Sequence, residues 1–333
     1  RKGGLKMADE EVMEPSFSGV VQAAQRLKSV MRETPLVRSE PLSQITGADV
    51  WLKLETASPI GSFKIRGAAN ALFKSKQFQK TKYAFAASSG NHGQGVALSA
   101  HRLGGTSCIF VPENPNLVKT AKMEKLGAKV VEQGAGFDEA REAALEACKS
   151  AEGAYIDDCG DPEAINGAGT VGYEIGRELD NLDCVFVPMG GGCLLSGTAL
   201  AIKAVHPKTK VIGVQSAQAP AMHLSFQAKK AIESKATTHS EALSLRIPPP
   251  LNLAQVLRYV DNTELVEDDD LLRAGKSMLL QGHQLAEPGS CAGLAALWRS
   301  RESLKGKTVV LVVSGANLDE PTMRMVMDST LLF

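Results

Sequence analysis

Short apolar runs alternate with stretches of helical spacing along most of this 333-residue chain. That alternation constrains the fold more than any other feature. Residues 50–54, 83–87, 107–111, 184–188, 210–214 and 308–313 are largely apolar and short enough to read as buried parallel strands. Between them, residues 118–126, 137–148, 164–179 and 271–284 carry apolar side chains at helical intervals. The pattern predicts an α/β protein with parallel sheets covered by helices on both faces. The chain is long enough for two lobes, each with its own core. The polar segment 233–250 ends in Pro248-Pro249-Pro250. It reads as a long surface loop of the kind that can line a site.

Composition removes several partners. Lys plus Arg and Asp plus Glu both number 37, giving zero formal charge. That balance argues against nucleic acid or an anionic membrane surface as the main partner. No run approaches the roughly 20 apolar residues of a membrane span. The six cysteines are widely spaced, with none in a C-x-x-C pair, so they read as reduced thiols of a cytoplasmic protein. The charged opening, Arg1 to Glu10, has no apolar stretch and is not expected to be a signal peptide.

Three segments carry chemistry. In the first, an apolar run ends at Pro188, and Gly190-Gly191-Gly192 precede a helical pattern. Glycines there let backbone amides converge at a helix N-terminus, an arrangement that suits a phosphate. The segment matches neither nucleotide-binding glycine signature, and spacing alone admits a simple tight turn equally. In the second, Ser88-Ser89-Gly90-Asn91-His92-Gly93-Gln94-Gly95 also follows an apolar run and opens a helix. Its small donors could hold a carboxylate, or Ser or Asn could merely cap the helix. In the third, Lys64 of Gly61-Ser62-Phe63-Lys64-Ile65-Arg66-Gly67 stands at a helix start. A cation is disfavoured there. The expectation is a lowered amine pKa, which is what a Schiff-base lysine needs; a solvated lysine is the plainer alternative.

In this order, the three segments resemble the fold-type II pyridoxal-phosphate enzymes, in particular the serine/threonine dehydratase and serine racemase group. The resemblance runs from about residue 34 to 319. It also includes Thr34-Pro35-Leu36, Glu287-Pro288 and Ser314-Gly315-Ala316-Asn317. It implies a two-lobe, tryptophan-synthase-β-like architecture, with residues 1–82 and 161–333 in a large cofactor-binding lobe and 83–160 in a small one. The implied cofactor is pyridoxal 5′-phosphate, bound as a Schiff base on Lys64, which then acts as base at the substrate Cα. Phe63 would flank the ring, and Asn91 would bond its 3′-oxygen. Gly190, Gly191, Gly192, Cys193 and Leu194 would cradle the phosphate. Ser314 would face the pyridine nitrogen. Ser88, Ser89, Gly90, Asn91 and His92 would line the substrate carboxylate pocket. A hydroxyl at Ser314 keeps the ring a modest electron sink, which favours loss of a β-leaving group.

The implied activity is an ammonia-lyase that converts threonine, serine or a bulkier β-hydroxy amino acid such as phenylserine to a 2-oxo acid and ammonia. Racemisation, with Lys64 and Ser89 on opposite faces, is the second reading. A pyridoxal-phosphate-binding protein with little catalysis is the third. The resemblance also implies a homodimer.

The chain departs from the group's pattern in several places. Cys193 replaces a fourth glycine and would be strained if its φ were positive. Asp157-Asp158-Cys159 stands where His-Pro-Phe or His-Pro-Asn is usual. Gly167-Ala168-Gly169-Thr170 replaces Gly-Gln-Gly-Thr, Glu241-Ala242 replaces Asp-Gly, and Ala316 replaces a glycine. The segment 215–221, where many relatives carry acidic metal ligands, has no Asp or Glu, so no metal is expected there. The charged runs 119–129 and 267–270 read as solvated helix faces.

Overall fold

The computed structural model describes residues 14–333; the charged opening segment lies outside the described residues. In chain order the elements are α1 (Phe17–Leu27), β1 (Leu36–Arg38), α2 (Glu40–Thr46), β2 (Asp49–Leu54), α3 (Lys64–Lys74), α4 (Lys76–Thr81), β3 (Tyr83–Ala87), α5 (Asn91–Arg102), β4 (Thr106–Val111), α6 (Leu117–Lys125), β5 (Ala128–Glu132), α7 (Phe137–Ser150), β6 (Ala154–Tyr155), α8 (Pro162–Glu178), β7 (Cys184–Pro188), α9 (Cys193–Val205), β8 (Lys210–Ser216), α10 (Ala221–Ala228), α11 (Pro250–Tyr259), β9 (Asn262–Val266), α12 (Asp268–Leu280), α13 (Ala292–Ser300), β10 (Thr308–Val313) and α14 (Glu320–Asp328).

Two sheets organise the chain. The larger has the order β1-β2-β10-β7-β8-β9, parallel except for β1. The smaller, β5-β4-β3-β6, is wholly parallel. The centre of the larger sheet is β10, whose Val309–Val313 side chains are all buried. Two cores lie on its two faces. One gathers Val309, Leu311 and Val313 with Leu294 and Leu297 of α13; the other gathers Val310 and Val312 with Leu195 and Ala199 of α9. This two-sided burial is why β10 reads as an unbroken Val/Leu run. The smaller sheet buries Ala84, Ala86 and Ile109 with Leu72 of α3, Phe78 of α4 and Val96 of α5.

Helix ends follow their local chemistry. Asp161 caps α8, its side chain accepting from the Glu163 amide at 2.7 Å, and Pro162 fills the first helical position. Pro250 likewise opens α11, so the proline triplet ends the irregular segment by starting a helix. Within that segment, only Glu241–Leu243 forms a single 3-10 turn.

A buried ionic cluster ties α3 to the sheet. Arg66 donates to Glu55 at 2.7 and 2.9 Å and to Glu174 of α8 at 2.5 and 2.8 Å. Lys53 of β2 reaches Glu174 at 2.6 Å, and the Thr34 hydroxyl donates to Glu55 at 2.6 Å. All five residues are at most 4% exposed. The cluster fixes the height of α3, and with it Lys64.

Candidate active site

The site is assembled where interior strands end. β2, β10 and β7 are adjacent and parallel, so the segments after their carboxyl ends, 55–63, 314–317 and 189–192, lie side by side. Ligands of open α/β sheets bind at this edge. The Lys64 and Ser314 segments are stitched together: the Phe63 amide donates to Ser314 O at 3.0 Å, the Ala316 amide to Gly61 O at 2.9 Å, and Asn317 Nδ2 to Ile60 O at 2.8 Å. From the smaller sheet, β3 delivers residues 88–90, and α5 packs its opening turns against α3.

Three helix N-termini meet there. They belong to α3 at Lys64, α5 at Asn91 and α9 at Cys193, and none is capped by a side chain. Their dipoles favour negative charge, and the opening amides of α5 and α9 have no side-chain partner, whereas at α3 the Lys64 amide reaches the Ser62 hydroxyl at 3.4 Å. Glycine is required in the loop before α9. A Cβ on Gly190 would strike the Ala242 carbonyl, and one on Gly191 would strike the Cys159 sulfur. Gly192 has φ of 86°. The positive φ therefore falls on Gly192 and not on Cys193, which opens α9 in ordinary helical geometry, so the expected strain at Cys193 does not arise. Gly192→Ala is expected to cost about 1–2 kcal/mol of stability, since its Cβ would also come within 2.8 Å of Met222 Cε. Chemical denaturation checks this.

The structure brings all the site residues read from the sequence into two connected hollows. The inner one, about 50 Å³, is bounded by Phe63, Lys64, Asn91, residues 190–194 and Ser314. Beyond it a cleft of about 250 Å³ is lined by Ser88, Ser89, Gly90, Asn91 and His92, with Lys64 at the junction. Ser314 is buried and shares a 2.9 Å hydrogen bond with Ser290. Asn91 donates to Glu287 at 2.9 Å and accepts from Asn317 at 2.7 Å. One amide hydrogen of Asn91 is left for a ligand. Ala168 lies under the glycine loop, in the cluster that holds Cys193 and Phe63, so this departure sits away from the outer cleft.

The expectation for Lys64 needs correction. It does start a helix, but its amine pairs with Asp158. Burial pushes the amine down; the Asp158 carboxylate more than offsets this and holds it well above its ordinary value. Asp158 in turn lies below the usual carboxylate range, since the charges of Lys64 and His92 overcome burial. The helix dipole does not decide the state of the amine, because a carboxylate 94 residues away in sequence lies beside it. Burial also raises the flanking thiols, Cys193 to about 12 and Cys159 well above its usual value, so both stay protonated.

Two charged runs read as solvated are more than that. Lys119 of α6 is only 18% exposed and bridges the cleft mouth to Glu241 at 2.7 Å. Asp268 at the start of α12 accepts from Ser216 at 2.6 Å, Thr238 at 2.8 Å and the His239 amide at 2.8 Å. Both partnerships join segments remote in sequence, and no local pattern announces them.

The hollow, its glycine-walled inner end and the helix N-termini that open on it suit a small anionic group beside Lys64. The chain belongs to the family described as pyridoxal-phosphate dependent enzymes, whose pattern matches residues 27–315. Within it, the chain falls in the serine/threonine dehydratase group of fold-type II. It is 37% identical to the L-threonine ammonia-lyase of Thermotoga maritima over 91% of this chain and 76% of that protein. The processed form of threonine deaminase isoform 2 from Solanum lycopersicum superposes with a TM-score of 0.89 at 31% identity, over 97% of this chain and 98% of that one. Serine racemase from Dictyostelium discoideum gives 0.85 at 27% identity, over 92% and 99%.

Proposed function

We propose that this protein is a pyridoxal-phosphate-dependent ammonia-lyase that dehydrates a β-hydroxy amino acid, threonine or serine first among them, to a 2-oxo acid and ammonia. The observation that carries this reading is the meeting of the α5 and α9 N-termini, neither with a side-chain cap, at the half-buried Lys64 that opens α3. One end suits a phosphate, the other a substrate carboxylate. Pyridoxal phosphate, when bound, supplies the electron sink for loss of the Cα proton. The residues fit it: 190–194 would hold the phosphate, Phe63 and Asn91 the ring, and Ser314 the pyridine nitrogen.

The protein's own part is positional. Lys64 is the bonding amine and the base for the Cα proton. The amides opening α5, with Ser88, Ser89 and Gly90, hold the substrate carboxylate. Ser314 offers a hydroxyl, already engaged with Ser290, so nothing there keeps a strong positive charge on the ring nitrogen. No metal is assigned to residues 215–221, where Ser216 and Gln218 direct their hydrogen bonds to Asp268 and Glu267.

In this reading the lobes are residues 1–82 with 161–333, and 83–160, with the cofactor between them. The six cysteines are all unpaired, which suits a cytoplasmic setting. No described helix is long and apolar enough to cross a membrane. A homodimer is the proposed assembly, checked by light scattering.

The test is release of 2-oxo acid from serine, threonine, 3-hydroxyaspartate and 3-phenylserine. Turnover of none of them overturns the reading. Racemisation is the second reading, favoured by the Ser89 hydroxyl on the outer cleft. If it operates, chiral analysis shows D-serine formed from L-serine, and Ser89→Ala removes that product while 2-oxo acid release persists.

A further inference from the structure

Asp158 is the residue of the site that the function above leaves unexplained. It stands in the loop after β6, next to Asp157, and the two point apart. Asp157 faces Arg141 of α7 at 3.3 Å on the outer surface. Asp158 turns inward to Lys64 Nζ and lies 3.5 Å from His92 Nδ1. The loop is fixed to the glycine loop: the Gly160 amide donates to Asn252 Oδ1 at 3.2 Å, and Asn252 Nδ2 donates to Gly191 O at 2.6 Å. Asp158 is therefore held by the same hydrogen bonds that set the inner end of the site.

His92 is oriented toward Asp158. Its Nε2 lies 2.9 Å from Ile156 O, and a carbonyl oxygen only accepts, so Nε2 carries hydrogen. Nδ1 is then the atom facing Asp158. The Nδ1–Oδ1 separation is 3.5 Å. The groups facing Lys64 are Asp158 and Cys159 from the loop after β6, Cys193 from α9, and His92 from α5 through Asp158; the Phe63 ring centroid lies 5.1 Å away. Both thiols are neutral, so Asp158 is the one anion among them.

We propose that Asp158 is a positioning residue that holds the Lys64 nitrogen and the proton it carries, both while Lys64 is bonded to the cofactor and while it is free during turnover. The inference rests on the function proposed above. Bonded to the cofactor aldehyde, with loss of one water, the Lys64 nitrogen would be either protonated or neutral. A carboxylate beside it favours the protonated form, the more electrophilic one. Once displaced by the substrate amine, Lys64 would take up the Cα proton and become an ammonium. Asp158 stabilises that charge and opposes return of the proton.

The test follows the visible absorption of the reconstituted protein against pH, because the protonated and neutral Schiff bases absorb at different wavelengths. In Asp158→Asn the pH midpoint is expected to fall by about one unit or more, the usual effect of losing an opposite charge at this range. Asp158→Glu is expected to keep most of the midpoint. Asp157→Asn, which faces outward, should leave it unchanged and controls for disturbance of the loop. The same midpoint in wild type and Asp158→Asn overturns the inference and leaves the proposed function standing. Absence of any Schiff-base band in the wild type overturns both. Failure of Asp158→Asn to fold shifts the decision to Asp158→Ser, which also removes the charge: an unmoved midpoint there overturns the inference, and one lowered by about one unit or more supports it.

Discussion

Lys64→Ala is expected to reduce 2-oxo acid release by about a thousandfold or more, since it removes the bonding amine and the Cα base at once. The fold should survive, because the side chain ends in a cavity. The protein should still take up pyridoxal phosphate, held non-covalently by the amides of α9, but without a Schiff-base absorption band. Comparing phosphate-dependent retention of the cofactor with the band separates the cradle from the lysine. A variant that kept both band and turnover would remove Lys64 from the mechanism.

Arg66→Met is expected to destabilise the protein by about 3–5 kcal/mol, the range for breaking a buried ion pair from one side. Arg66 lies between Glu55 and Glu174, and their charges outweigh the burial that would weaken it. Without Arg66, Glu55 keeps only the Thr34 hydroxyl as a side-chain partner. Glu174 keeps Lys53. The loss should therefore concentrate on Glu55, and Arg66→Met combined with Glu55→Gln should recover part of it. Equilibrium denaturation measures both. Because the cluster sets α3, the single variant should also lose turnover before it loses secondary structure. Equal stability of wild type and Arg66→Met would contradict the assigned role.

The same arginine shows what a sequence can and cannot disclose. Arg66 was legible as part of a motif together with Lys64, and so was Thr34. That they meet through Glu55 and Glu174 was not, because Glu174 is 108 residues away. The strands divide along a physical line. The six read from the sequence, β2, β3, β4, β7, β8 and β10, are the interior strands of the two sheets. The four that went unread, β1, β5, β6 and β9, are the four edges. Interior parallel strands are buried on both faces and appear as apolar runs. Edge strands such as β5, Ala-Lys-Val-Val-Glu, and β9, Asn-Thr-Glu-Leu-Val, carry charged or polar side chains toward solvent, or run to only two or three residues, and lose that signal.

In the site, the glycine loop and the openings of α3 and α5 were legible because their residue types answer local demands, such as the positive φ at Gly192. Asp158 was visible as a departure, but its contact with Lys64 depends on how β6 and α3 are brought together. The same holds for Lys119 and Glu241, which lie 122 residues apart across the cleft mouth.

Borohydride trapping shows whether the cofactor bonds to Lys64. The protein is loaded with pyridoxal phosphate, reduced to fix the Schiff base as a stable secondary amine, digested, and mapped by mass spectrometry. A single phosphopyridoxyl group is expected, on the peptide that carries Lys64. Label on any other lysine, or on none, would contradict it.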